Sequence, residues 1–85
     1  MKKLEQSPLI SIIPYDIFKT FETKLNQDLT YCKGVLERET HRDIWFGFVG
    51  GTPMRFTYRQ SDQKTTWSTC DLSLVKDKIK SAKSQ

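Results

Sequence analysis

Hydrophobic and polar positions change period several times along this chain, and each change marks an element. Leu9-Ile10-Ser11-Ile12-Ile13 is apolar and fenced by Pro8 and Pro14, which predicts a short strand or an extended docking segment. Phe18, Phe21, Leu25, Leu29 and Cys32 then recur at three- and four-residue steps, the spacing of one helix face. Asp16 is the expected N-cap of that helix and Gly34 its expected terminator after Lys33. Val35 to Asp43 has no clear period and reads as a connection that can begin a strand.

Three β signals follow. Ile44 to Val49 is aromatic and β-branched, with Gly47 marking a close approach or a bulge. Met54 to Gln60 alternates strictly, with Met54, Phe56 and Tyr58 on one side and Arg55, Thr57 and Arg59 on the other. Thr65 to Asp71 is rich in Thr. Gly50-Gly51-Thr52-Pro53 and Ser61-Asp62-Gln63-Lys64 supply the turns between these runs. A last helix starts near Asp71 or Ser73, with Leu72, Val75, Ile79 and Ala82 as its apolar edge and Lys76, Lys78, Lys80 and Lys83 around it. Residues 1–7 are polar and expected to be loose. The expectation is a single α+β domain over residues 1–85, in the order (β)αβββα. Its core is a three-stranded antiparallel meander, with both helices on the Met54, Phe56 and Tyr58 face.

Composition narrows the class. With 36% hydrophobic and 28% charged residues, the chain has the makings of a folded domain with a thin core. The net charge of +4 is spread: five Lys against four acids in residues 1–33, four Arg against three in 34–60, and five Lys against three in 61–85. Such a surface tolerates polyanions. Cys32 and Cys70 lack CxxC spacing, which points to reduced thiols in a cytoplasmic protein, with a single bridge between them as the alternative that spacing leaves open. The apolar run from Leu9 to Ile13 is shorter than the roughly 7–15 residues of a secretory core or the roughly 20 of a membrane span.

No catalytic or metal chemistry is expected, and no cofactor. His41 is the only histidine, and no GxSxG elbow is present. Glu39, His41 and Asp43 alternate and would share a face on a strand, but the segment reads as a solvated charged edge. Gly50-Gly51-Thr52 lies between two β-like runs and lacks the GxxxxGK[ST] pattern of a phosphate loop. Cys70 has no neighbouring base to activate it.

One constellation does suggest binding. Arg55, Arg59 and Lys64 lie on or beside one strand face, with Trp45 and Trp67 on the neighbouring strands. Cations that meet phosphates and aromatic faces that stack on bases are how RNA and single-stranded nucleic acids are held. The alternative is a small inhibitor, immunity or accessory protein that docks a sheet face or strand edge on a larger protein. A homodimer through a sheet face or edge suits the same features. The stretch from Met54 to Lys83, through Ser61-Asp62, Lys64 and Ser68-Thr69, resembles the end of the Alu-RNA-binding subunits of the signal recognition particle. The resemblance covers about a third of the chain and implies an αβββα fold that dimerises through its sheet and binds RNA.

Overall fold

The computed structural model of the chain describes residues 3–83. Five strands form one antiparallel sheet in sequence order: β1 (Lys3–Gln6), β2 (Gly34–Arg38), β3 (Arg42–Val49), β4 (Thr52–Arg59) and β5 (Lys64–Thr69). Between β1 and β2 stand a 3₁₀ turn (Leu9–Ser11) and α1 (Tyr15–Leu25), and α2 (Leu72–Lys83) follows β5. The α+β class stands. The sheet has five strands where three were expected, and its two helices lie on opposite faces.

Register explains the arrangement. Leu36, Trp45, Phe56 and Trp67 are direct cross-strand neighbours, one on each of β2 to β5, so they share one face. Phe18 and Phe21 of α1 pack on that face with Leu9, Ile12, Ile13, Leu29 and Met54, which confirms the expected contact between α1 and the Met54/Phe56 side. Tyr58 is only half-buried and lies outside that cluster. The other face carries Val35, Ile44 and Phe46, and there Ile79 and Ala82 of α2 pack. The chain leaves the far edge of the sheet at Thr69 and returns across β4 and β3 towards β1, so α2 cannot share the side already covered by α1.

Trp45 is fully buried and organises the first core. Its ring meets Phe56 edge-to-face with centroids 5.7 Å apart, and its Nε1 donates to the Ser7 carbonyl at 2.8 Å. Gly34 and Gly47 flank the indole, and a Cβ on either would overlap it. Gly47 is thus a site of close approach, one of the two roles its position in the strand suggested.

Three local expectations are revised. Leu9–Ser11 is a 3₁₀ turn, with Ser11 N donating to the Pro8 carbonyl and Ile12 N to Leu9, so this apolar segment caps the core instead of pairing in the sheet. Helix α1 begins after Pro14, whose carbonyl accepts from Phe18 N at 2.9 Å; Asp16 sits inside the first turn, where its charge suits the helix dipole. The helix stops at Leu25 because Asn26 turns left-handed (φ 54°), a conformation Asn tolerates. Glu22 then accepts from Leu29 N at 2.8 Å and folds the following loop back. Leu29 and Cys32 reach the same core from this loop, which is why they kept helical spacing without being helical.

At the other end of the surprises, Lys3–Gln6 of the polar segment 1–7 forms β1, paired with β2 from Lys3↔Arg38 to Gln6↔Val35. Residues 1 and 2 of that segment lie outside the described residues.

Candidate functional site

The α2 face of the sheet is covered over β1 to β3 and largely open over β4 and β5. On the open part Arg55 lies opposite Ser68, Thr57 opposite Thr66, and Arg59 opposite Lys64. Arg55, Arg59, Lys64, Thr66 and Ser68 are exposed there and Thr57 is half-buried. A shallow recess of about 180 Å³ lies among Arg55, Thr57, Thr66, Trp67 and Ser68. The structure therefore brings together the three cations that the sequence singled out.

Register adds a fourth. Arg42, at the start of β3, is the direct partner of Arg59, so Arg42, Arg59 and Lys64 form one row across three strands. Like charges directly opposite one another in a sheet are destabilising, and nearby acids moderate the repulsion. Glu39 pairs with Arg42 at 2.8 Å and Asp62 with Arg59 at 3.2 Å. With strand spacing of about 4.8 Å and a rise of about 3.4 Å per residue, the row spans roughly 10 Å and Arg55 stands roughly 14 Å along β4 from Arg59. Arg42 was not identified from the sequence, because nothing local reveals which residue of β4 it faces.

The two tryptophans do not join this cluster. Trp45 is core and has no surface to offer a base. Trp67 is 38% exposed but projects from the α1 face, stacked on Phe56 at 6.2 Å and edge-on to Phe21 at 6.0 Å. The expected basic and aromatic face is thus two surfaces: cations and hydroxyls on one side of β4–β5, a single indole on the other.

The remaining candidates separate as well. Strand β2 ends at Arg38 and β3 begins at Arg42, so Glu39 and His41 lie in the turn and never form a row with Asp43. Asp43 is buried on the α1 side of the sheet, where Gln60 Nε2 donates to it at 3.4 Å. Among the described residues, no three His, Cys, Asp or Glu side chains are placed to hold a metal ion. Cys32 and Cys70 are unpaired, and burial pushes both thiols above their ordinary range; the Arg55 charge pulls Cys70 down but does not overcome it. No described helix is long and apolar enough to cross a membrane.

Comparison with known protein families, with curated proteins and with solved structures returns no match. The partial resemblance to Alu-RNA-binding subunits implies an αβββα fold, and the five-stranded sheet with a helix on each face departs from it.

Proposed function

We propose that this chain is a small non-catalytic cytoplasmic protein that binds RNA through the sugar–phosphate backbone, using the open α2-side surface of β4–β5. The observation that carries this reading is the row Arg42, Arg59, Lys64 with Arg55 farther along β4, on a surface to which Thr57, Thr66 and Ser68 add hydroxyls. Guanidinium and ammonium groups neutralise phosphates and release their counterions. Thr57, Thr66 and Ser68 offer hydroxyls of the kind that bond phosphate oxygens, and 2′-hydroxyls are further partners for them. With no aromatic ring on this surface, binding depends on charge and shape, and base identity matters little.

The test is a titration of labelled RNA at several salt concentrations. The wild-type chain should bind at about 50 mM salt and weaken as salt rises, and Arg55→Ala/Arg59→Ala should flatten the slope of log affinity against log salt by roughly 1.5 units. Trp67→Ala should leave that slope unchanged, since its ring stands on the opposite face. Absence of binding by wild type at low salt would overturn the reading. Loss of about 1–3 kcal/mol with Trp67→Ala, together with an intact slope in the arginine variant, would move the site to the α1 side.

A further inference from the structure

The two edges of the sheet differ in how they are protected. Strand β1 has four residues, an ion pair between Glu5 and Arg38 at 3.4 Å beside it, and contacts from α2. Strand β5 has six residues, pairs with β4 without a bulge, and carries no proline and one charge, Lys64, at its first position. Among the described residues its outer backbone groups meet no further strand, and a regular edge with so little charge is a template for another strand.

We propose that β5 pairs antiparallel with β5 of a second copy, joining two five-stranded sheets into one of ten strands. The occupant is identified by the row Leu36, Trp45, Phe56, Trp67, which crosses the sheet and ends on β5 with Trp67 38% exposed. A two-fold axis through the Trp67 position keeps each face continuous, because residues directly opposite in an antiparallel pair point to the same side. Trp67 then faces its own copy, Thr65 faces Thr69, and Thr66 faces Ser68. The aromatic row is extended across the junction, and cross-strand aromatic pairs are among the stabilising ones. No like charges meet: Lys64 lies at the end of the paired segment, away from its counterpart. A foreign acidic or apolar strand would not draw on this self-matching register. The contact is one strand pair and two indoles, at the lower end of specific interfaces, so the dimer is concentration-dependent. It does not rest on the RNA reading, and it is measured without RNA.

Sedimentation of the full chain from about 5 to about 500 µM should show the mass rising from 10.0 kDa towards twice that value, with a midpoint on the order of tens of micromolar. Thr66→Lys/Ser68→Lys sets like charges opposite at two places in the proposed register, and Thr66→Glu/Ser68→Glu does the same with the other sign. Both side chains are exposed in the single chain, so each variant should remain folded, stay near 10.0 kDa alone, and form a heterodimer when the two are mixed. A wild-type mass of 10.0 kDa across the whole range would overturn the proposal. So would charge variants that assemble alone as well as wild type, because the contact would then lie elsewhere.

Discussion

Trp45 shows how much a single residue can decide. Its indole is enclosed by Phe56, Gly34 and Gly47 and tied to the first segment of the chain through Ser7. Trp45→Ala or Phe56→Ala should cost about 3–5 kcal/mol, since each leaves a large void in a core of few residues. Gly47→Ala adds only a methyl group, yet that methyl has the Trp45 ring and the Lys33 carbonyl in its way, so we expect a loss of about 1–3 kcal/mol. Chemical denaturation of the three variants tests these values; a Gly47→Ala protein as stable as wild type would show that the indole can shift freely. At the binding surface, Asp62 spends part of the charge of Arg59. Asp62→Asn keeps an acceptor for Lys64 N, which the carboxylate now holds at 3.1 Å, while removing the competing anion. RNA affinity at low salt should rise about two- to fivefold, in keeping with the roughly 0.5–1 kcal/mol range of exposed ion pairs. Unchanged or weaker affinity would argue that Arg59 does not contact phosphate.

Among the elements, α2 is the one whose seat is most specific. Its apolar seat is small: Ile79 and Ala82 pack against the cluster of Val35, Ile44 and Phe46, and Val75 is fully buried. Lys78 supplements them by bonding Glu37 on β2, whose side chain is 4% exposed, and its ammonium lies 5.0 Å from the centre of the Phe46 ring. Lys78→Ala removes one partner of this buried carboxylate, which should cost about 1–3 kcal/mol, below the loss of a fully buried pair because Lys78 itself is 26% exposed. Glu37→Leu/Lys78→Met should cost less than the single change, because it removes the buried charge together with Lys78. Hydrogen exchange would show the same effect locally, with amides of α2 losing protection in Lys78→Ala before those of β3 and β4. If the double variant is the less stable of the two, the pair is a net stabiliser and not merely a matched cost.

For the molecule as a whole, placing one helix on each face leaves an asymmetric remainder: β1 to β3 are covered on the α2 side, and β4–β5 is open there. Pairing of two copies through β5 would set the two open surfaces side by side, with Arg55, Arg59 and Lys64 present twice between the two α2 helices. Four strands at a spacing of about 4.8 Å give a floor roughly 14 Å wide between the outer strand axes. An RNA long enough to cross that floor should then show a salt slope steeper than the monomer's, approaching double, as protein concentration passes the dimer midpoint. The Thr66→Lys/Ser68→Lys chain, held as a monomer, should keep a concentration-independent slope. Equal concentration dependence in both chains would separate RNA binding from dimer formation.

Much of this organisation was already legible in local pattern. Strict alternation from Met54 to Gln60 set Arg55, Thr57 and Arg59 against Met54 and Phe56, and the structure keeps them on opposite sides of β4, because side chains in a strand alternate whatever it pairs with. The contact of Phe18 and Phe21 with the Met54/Phe56 side was legible for the same reason, since two apolar stripes in a short chain have few other places to go. What pattern could not supply was everything set by register and by the path of the connections. The polar Lys3–Gln6 joins the sheet through backbone hydrogen bonds, which leave no mark on side-chain periodicity. Leu29 and Cys32 satisfy helical spacing from a loop, because burial rewards position and not conformation. Trp45 and Trp67 read alike as aromatic strand residues; both lie on the α1 face, one at the centre of the sheet and one at its edge. Arg42 enters the cationic row only once β3 and β4 are aligned. Sequence determined β3 to β5, the presence of two helices and the two sides of β4, because those follow from each residue's neighbours along the chain. Tertiary structure decided which surface stayed open and which charges met on it, because those depend on residues far apart in sequence.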